Sequence, residues 1–253
     1  MGDITYGLEG KIAVVTGGSR GIGLEIAHEL VRQKARVVIC GRKQENLDAA
    51  AAELGSENVM TFQAHIAKEG EVEELFRRIM EAYPGIDILI NNVGMNLMTP
   101  AIPDTDFTMW QKIIETNLNG TYLCSRAASR VMRAQGRGAI VNVSSIAGRK
   151  ASPAMGIYGI AKAGVEMLTR VMASELAQSG VRVNAVAPGM VRTDFSKPFW
   201  SNPDLCSHIV KTIPLGRIAE PMDVVHPVLF LASEASAFIT GQTILVDGGA
   251  TAV

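Results

Sequence analysis

Cysteine and histidine are scarce in this 253-residue sequence. Cys40, Cys124 and Cys206 are too few and too widely spaced for a disulfide framework, and no Cys or His spacing is typical of a zinc site. None of the four histidines stands beside a Ser or Cys in a pattern that indicates a nucleophile with its base. We therefore expect reduced cysteines that pack in the interior, and no bound metal.

Net charge and long apolar runs are lacking too. Lys and Arg number 24 and Asp and Glu number 25, which gives a net charge of −1, and no long basic run is present to attract a phosphate backbone. No apolar stretch reaches the roughly 20 residues that span a bilayer, and residues 1–10 lack the basic start and apolar core of a signal peptide. We therefore expect a soluble cytoplasmic protein that binds neither nucleic acid nor membranes.

Seven short apolar segments rich in β-branched residues alternate with segments of helical period. This alternation predicts an α/β fold with one doubly wound, seven-stranded parallel sheet and helices on both faces, a Rossmann fold. No linker is visible, so residues 1–253 are expected to form a single domain, in which residues 193–216 form a lid over a pocket. The predicted strands are residues 12–16, 36–40, 59–63, 86–91, 139–144, 182–186 and 244–246.

A glycine-rich loop joins the first predicted strand to the first helix. Gly17, Gly21 and Gly23 follow residues 12–16 and precede a helical pattern. Glycines at this place allow backbone N–H groups to approach a pyrophosphate, and the start of a helix favours an anion. The spacing differs from the GxGxxG fingerprint, so a plain tight turn before a helix is the alternative interpretation of the loop by itself.

The end of the second predicted strand indicates which dinucleotide binds. An acidic residue at this place holds a 2′-hydroxyl, whereas a 2′-phosphate needs positive charge. The chain has Arg42 and Lys43 here, and Arg20 in the glycine-rich loop adds a second guanidinium. The alternative, that Arg42 and Lys43 only solvate a helix start, is disfavoured because cations there oppose the helix dipole. We therefore expect NADP(H) rather than NAD(H).

Tyr158 and Lys162 are four residues apart, so on a helix they share one face. A lysine ammonium beside a phenol favours the phenolate and is expected to lower the tyrosine pKa from about 10. Tyr158 would then exchange protons near neutral pH. A Tyr-x3-Lys pair alone is common on helix surfaces, so its meaning depends on the motifs around it.

The pair belongs to a set of six motifs that runs along nearly the whole chain. These motifs are residues 16–23, residues 91–94, Asn117, Ser145, Tyr158-x3-Lys162 and Pro188-Gly189. In this order and spacing they resemble the short-chain dehydrogenase/reductase family. The family's catalytic serine lies thirteen residues before its tyrosine, which selects Ser145 rather than Ser144.

The resemblance implies a catalytic group of four residues that supports hydride transfer between a nicotinamide cofactor and a carbonyl carbon. Tyr158 would give a proton to the carbonyl oxygen and Ser145 would hydrogen-bond the same oxygen, both where negative charge develops. Lys162 would bind the nicotinamide ribose and tune Tyr158. Asn117 would hold a water that links Lys162 to solvent, and a helix kink is its alternative role.

The resemblance also implies the cofactor contacts. Asn92 would lie along the adenosine, while Val191 and Thr193 would fix the nicotinamide amide. Where the family usually has Asp and a small apolar residue, this chain has His65 and Ile66. His65 therefore either stacks on or hydrogen-bonds the adenine, or the contact is lost. The expected cofactor-binding residues are Gly17, Ser19, Arg20, Gly21, Ile22, Gly23, Arg42, His65, Ile66, Asn92, Gly94, Tyr158, Lys162, Val191 and Thr193.

The expected substrate is an aldehyde or ketone, because the predicted pocket wall is apolar and adaptable and the lid region is similar to NADPH-dependent carbonyl reductases of the family. One alternative is a 3-oxoacyl-carrier-protein reductase, although Ser179 stands where those enzymes tend to have a basic residue. A sugar or polyol dehydrogenase and a non-catalytic NADP(H)-binding regulator are the others. The family further implies a homotetramer built through the helices of residues 106–134 and 157–178. The expected substrate-binding residues are Ser145, Tyr158, Met95, Met155, Met190, Phe195, Phe199 and Trp200.

Overall fold

In the part of the chain that the structure describes, seven parallel strands form one central sheet. The structure, a computed structural model, describes residues 4–252, so residues 1–3 and 253 of the predicted domain lie outside the described residues. Val, Ile, Leu and Ala dominate the strands, as is typical of a sheet covered on both faces. The strands are β1 (Ile12–Thr16), β2 (Arg36–Gly41), β3 (Val59–Gln63), β4 (Ile88–Asn91), β5 (Gly138–Val143), β6 (Val181–Pro188) and β7 (Thr243–Val246).

The order of the strands determines where a ligand binds. The sheet runs β3-β2-β1-β4-β5-β6-β7 with every neighbouring pair parallel, which confirms the predicted doubly wound fold. The chain changes direction across the sheet between β1 and β4. In such sheets ligands bind in the crevice outside the carboxyl ends of the strands at this switch point. The segments after β1, β2, β4, β5 and β6 meet at that edge.

Helices cover both faces of the sheet. Apolar side chains of α1, α2 and α9 form one core against the sheet, and those of α3, α5 and α6 form the other. No helix in the described part of the chain is long and apolar enough to cross a membrane. The helices are α1 (Gly21–Arg32), α2 (Gln44–Leu54), α3 (Glu69–Ala82), α4 (Phe107–Ile114), α5 (Gly120–Gln135), α6 (Gly156–Leu176), α7 (Lys197–Trp200), α8 (Pro203–Lys211) and α9 (Pro221–Ala232).

The long helical segment before β5 begins and ends at residues that cap helices. The side chain of Asp106 accepts a hydrogen bond from Met109 N at 2.8 Å, and Gly136 ends the segment in the left-handed conformation with φ 69°. Between them α4 and α5 are separated by a π turn at Glu115–Asn119. A π turn widens the helix locally and turns side chains out of register, often at functional sites.

Two of the three cysteines agree with the expectation of interior packing residues, whereas Cys206 is half-buried in α8. All three are free, and Cys40 and Cys124 are buried in the core beneath α3, α5 and α6. Burial raises the pKa of the Cys40 thiol to about 12, so this thiol stays protonated and unreactive at neutral pH.

Candidate active site

The glycine-rich loop connects β1 to α1. Its central residues pack so closely that there is no room for side chains. Gly17 has φ 66°, and a Cβ at Gly23 would clash with the Gly17 carbonyl oxygen and the Asn92 side-chain amide. This close backbone contact leaves the N–H groups at the start of α1 facing the crevice, a geometry that fits a pyrophosphate. Of the other predicted loop residues, Ser19 lies beside Gly41, and Ile22 packs on the core beneath α1.

Asn92 supports this loop from the neighbouring strand. Its Nδ2 donates to the carbonyl oxygens of Thr16 at 3.2 Å and Gly17 at 3.3 Å, while its backbone N–H donates to Thr16 Oγ1 at 3.0 Å. The side chain that the sequence assigns to the adenosine therefore shapes the phosphate loop in this structure. Any contact of Asn92 with a nucleotide stays a prediction.

A cavity of about 660 Å³ lies at the carboxyl ends of β2 and β3. Arg42 and His65 line it, and Arg42 is exposed, as is Arg20 at the start of α1. Lys68 and Arg78 line the same cavity, together with Glu71 and Glu74. The exposed guanidinium of Arg42 fits the 2′-phosphate of NADP(H), because it stands where β2 ends and where NAD enzymes have an acid.

His65 offers a different hydrogen-bonding pattern from the aspartate that the resemblance leads us to expect. Its Nδ1 accepts from Ala67 N at 3.2 Å, so the neutral ring carries its hydrogen on Nε2. Glu71 accepts from the His65 backbone N–H at 2.7 Å and fixes this turn. The ring therefore presents a donor, whereas a carboxylate presents acceptors. Its neighbour Ile66 is buried against Gly120.

Three of the predicted catalytic side chains meet where β5 ends beside α6. Tyr158 and Lys162 are buried on α6, and the Ser145 hydroxyl, just after β5, is hydrogen-bonded to Tyr158. Lys162 Nζ donates to the carbonyl oxygen of Val143 at 2.8 Å and lies 5.6 Å from the centre of the Tyr158 ring. The β-strand and the helix together hold two hydroxyls and one ammonium in a single group, in which Tyr158 and Lys162 are buried and Ser145 is half-buried.

Asn117 joins this group through the π turn. Its Oδ1 accepts from Met95 N at 3.1 Å, and its Nδ2 donates to the carbonyl oxygens of Met95 and Ile113, each at 2.8 Å. A Cβ on Gly94 would lie 3.4 Å from Asn117 Oδ1 and 3.6 Å from Lys162 Nζ. The helix distortion and the proximity to Lys162 thus occur together, and the predicted water stays a prediction.

Burial moves the two acid–base pKa values in directions that the sequence does not predict. It raises the pKa of Tyr158 to about 12, an effect that the hydrogen bond with Ser145 only partly offsets. It lowers the pKa of Lys162 to about 8. The expected net lowering of the Tyr158 pKa is therefore wrong for this structure, because the removal of the phenol from water outweighs the groups that favour its charged form.

The predicted pocket residues are distributed over three places. Met95 and Met155 lie beside the catalytic group, and Asn96 Nδ2, 2.9 Å from Met155 Sδ, is a polar group in this wall. Met190 instead lines a separate cavity of about 510 Å³ with Leu215 and Leu245.

The base of the proposed lid contacts the phosphate loop. Thr193 Cγ2 would lie 3.6 Å from a Cβ on Gly21, and Val191 just before it is buried. Trp200 Nε1 donates to the Thr193 carbonyl oxygen at 3.1 Å, so the indole is tied to this segment. Phe195 is exposed and Phe199 half-buried, which leaves both available to a substrate.

We expect Lys162→Met to stabilise the fold while abolishing catalysis. The pKa of Lys162 falls from its ordinary 10.5 to about 8, so below pH 8 the folded protein carries a buried ammonium at a cost of about 3 kcal/mol. Methionine removes this cost and loses one hydrogen bond. The free energy of unfolding, measured in urea at pH 7, should rise by about 2 kcal/mol.

The gain should shrink as pH rises from 8 towards 10.5, because wild-type Lys162 then loses its proton in the folded state first. Lys112→Met, at an exposed lysine of α4, is the control and should change stability little at any pH. A Lys162→Met protein that is less stable than wild type at pH 7 would contradict this assignment.

Comparisons with known proteins identify relatives of this chain. A family model described as enoyl-(acyl carrier protein) reductase matches residues 17–251. Dehydrogenase/reductase SDR family member 4 of Bos taurus is 38% identical over 244 residues, which cover 96% of this chain and 88% of that protein. The 3-oxoacyl-(acyl-carrier-protein) reductase of Synechocystis sp. is 39% identical over 251 residues, or 96% of this chain and 97% of that protein.

Two solved structures are similar over nearly their whole length. A putative gluconate dehydrogenase from Agrobacterium tumefaciens has a TM-score of 0.95 and 34% identity, covering 99% of this chain and 100% of that one. A gluconate 5-dehydrogenase from Burkholderia cenocepacia, in complex with NADP and tartrate, has a TM-score of 0.94 and 31% identity over 98% of each chain.

Proposed function

Because the chain belongs to the short-chain dehydrogenase/reductase family of oxidoreductases, we propose that it reduces an aldehyde or ketone to an alcohol with NADPH. The observation that carries this proposal is the group formed by buried Tyr158 and Lys162 and half-buried Ser145 beside the phosphate loop. Such a group has one hydroxyl to donate a proton and a second to bind a developing oxyanion. A non-catalytic NADP(H)-binding regulator would have no use for it.

Each side chain has its own task in this reaction. When bound, NADPH supplies the hydride that adds to the carbonyl carbon. Tyr158 donates its hydroxyl proton to the carbonyl oxygen, so the product is an alcohol and Tyr158 becomes a phenolate. Ser145 donates a hydrogen bond to the same oxygen while negative charge develops on it.

The shifted pKa values suit the direction of reduction. With a pKa of about 12, Tyr158 is fully protonated at neutral pH and ready to act as an acid. The phenolate that it leaves behind is stabilised by the ammonium of Lys162, which keeps its charge only below about pH 8. The rate of carbonyl reduction is therefore tied to the charge of Lys162.

We expect Tyr158→Phe to lower kcat by about 1,000-fold or more, because it removes the proton donor while keeping the ring. The dissociation constant of NADPH, measured by fluorescence titration, should stay within about twofold of wild type. Tyr83→Phe, at the end of α3, is the matched control and should keep full activity. Unchanged turnover in Tyr158→Phe would overturn the mechanism.

The cofactor is proposed to be NADP(H) on the chemistry of the β2 end. Arg42 is exposed there with no acid in the sequence from Cys40 to Lys43, and Arg20 is exposed at the phosphate loop. The Burkholderia cenocepacia gluconate 5-dehydrogenase contains NADP in the same fold, which supports the proposal.

Arg42→Asp should change the ratio of kcat/KM for NADPH to that for NADH by about 100-fold in favour of NADH. It replaces a charge-assisted bond to the 2′-phosphate by repulsion and offers an acceptor to a 2′-hydroxyl. Steady-state kinetics with both cofactors measures this ratio. Arg36→Asp is the control, since Arg36 is exposed at the opposite end of the same strand. A ratio equal to that of wild type would remove Arg42 from the cofactor site.

The substrate is proposed to be a small ketone or aldehyde, held under the lid of residues 193–216. The Synechocystis relative favours a 3-oxoacyl thioester as the second candidate, and the gluconate dehydrogenases favour an oxidised sugar. NADPH consumption against aromatic ketones, α-dicarbonyls, oxidised sugars and a 3-oxoacyl thioester separates the three. Broad turnover of small ketones supports the carbonyl reductase, and turnover confined to the thioester or to sugars moves the protein to that class.

We further propose a homotetramer that assembles in part through α5 and α6. Ile160, Met167 and Val171 lie on one face of α6 and are exposed, with Tyr122 exposed on adjacent α5. A second copy of the chain presents the same apolar face, so the two patches cover each other about a two-fold axis.

Met167→Glu should convert the tetramer to a smaller species in size-exclusion chromatography with light scattering. The two-fold axis brings both introduced carboxylates into one apolar interface, where they are desolvated. Met80→Glu, at an exposed methionine of α3, is the control and should leave the mass unchanged. A monomeric wild type, or a tetrameric Met167→Glu, would contradict the proposed interface.

A further inference from the structure

A buried carboxylate lies one turn beyond the catalytic pair on the same face of α6. Tyr158, Lys162 and Glu166 are spaced by four residues, which places them along one side of the helix. Glu166 is only 3% exposed and has no task in the chemistry described above. A carboxylate is almost never buried this completely unless it is paired, so its partners indicate its purpose.

Glu166 contacts both ends of the short segment that carries Ser145. Arg149 Nε donates to Glu166 Oε2 at 2.7 Å. Ser144 Oγ lies 3.3 Å from Glu166 Oε1 and 3.2 Å from the Lys162 carbonyl oxygen, so its hydrogen is shared between two acceptors on α6. Ser144 precedes Ser145 directly, and Arg149 follows it by four residues. The carboxylate therefore ties α6 to the chain on either side of Ser145.

Two glycines allow this segment to lie directly on the backbone of α6. A Cβ on Gly148 would come within 2.8 Å of Ala163 N, and a Cβ on Gly159 would come within 2.5 Å of the Ala147 carbonyl oxygen. The segment and the helix thus touch main chain to main chain, with no side chains between them. Glu166 contacts this segment at its two ends, Ser144 and Arg149, and so adds side-chain contacts to the close backbone packing.

We propose that Glu166, paired with Arg149, is a positioning residue that sets the Ser145 hydroxyl against the Tyr158 hydroxyl. The proposal rests on the proposed function, in which these two hydroxyls bind one carbonyl oxygen. Glu166 does not touch that oxygen and acts only through the segment that carries Ser145. Because a misplacement of about 1 Å in a catalytic group is worth about 100-fold in rate, a small loosening of this segment has a measurable effect.

Glu166→Gln should lower kcat by about tenfold and leave the dissociation constant of NADPH unchanged, because it keeps the shape of the side chain and loses the ion pair. In the Ser145→Ala background the same substitution should have no further effect on kcat, since Ser145 is the group through which Glu166 acts. Stopped-flow and steady-state kinetics on the four proteins of this cycle measure the coupling. If Glu166→Gln folds poorly, Arg149→Gln takes its place in the cycle; it breaks the same ion pair from the half-exposed side and should have the same effect on kcat.

Glu29→Gln is the matched control. Glu29 is 5% exposed and accepts from Arg32 Nε at 2.7 Å, but it lies on α1, remote from Ser145. If the role of Glu166 is merely structural, Glu166→Gln and Glu29→Gln should lower kcat equally. Alternatively, Glu166→Gln should still lower kcat tenfold in the Ser145→Ala background. Either result would overturn the proposal.

A spectroscopic measurement tests the positioning role of Glu166 independently of the proposed enzymatic activity. With tyrosine labelled by ¹³C at Cζ, Glu166→Gln should shift the Tyr158 resonance in the same direction as Ser145→Ala, because both weaken the Ser145–Tyr158 hydrogen bond. Glu29→Gln should not move it. If wild type turns over no carbonyl compound but the shift is seen, the proposed function fails and the positioning role stands. An unmoved Tyr158 resonance overturns the positioning role whatever the activity.

Discussion

The chemistry proposed for this protein depends on one buried hydrogen bond, from the Lys162 ammonium to the carbonyl oxygen of Val143. Val143 is the last residue of β5, and Lys162 lies in the second turn of α6. The bond therefore joins the strand that presents Ser145 to the helix that presents Tyr158. It also holds a positive charge where water is excluded, which destabilises the fold below pH 8 and gives the phenolate its counter-charge.

The order of the strands places the rest of the site next to this hydrogen bond. β5 lies beside β4 and β4 beside β1, so the segments after these strands converge. Gly94 after β4 approaches Asn117 and Lys162, while Gly17 after β1 is held by Asn92. The catalytic group and the phosphate loop thus share one edge of the sheet, and small residues at their contacts bring the backbones close.

Sequence patterns predict the sheet well because buried parallel strands are continuous apolar runs. Six of the seven strands begin within one residue of the predicted position, and β4 begins two residues later than predicted, at Ile88. The Tyr158–Lys162 spacing gives the correct shared face but the wrong pKa direction, since spacing carries no information on burial. Arg149 pairs with Glu166, 17 residues away, only through the packing of the segment after β5 on α6. This pairing is visible only in the three-dimensional structure, because no spacing or motif in the sequence indicates it.

The most direct test of the account is to follow isotope from cofactor to product. NADPH carrying two deuterium atoms at C4 is supplied with a small ketone in ordinary water, and the alcohol is examined by mass spectrometry and NMR. The account predicts an alcohol that carries one deuterium on the carbinol carbon, and formation of this product at least about 1,000-fold more slowly with Tyr158→Phe. Bound NADPH that reduces no carbonyl compound, or an alcohol whose carbon hydrogen comes from water, would contradict it.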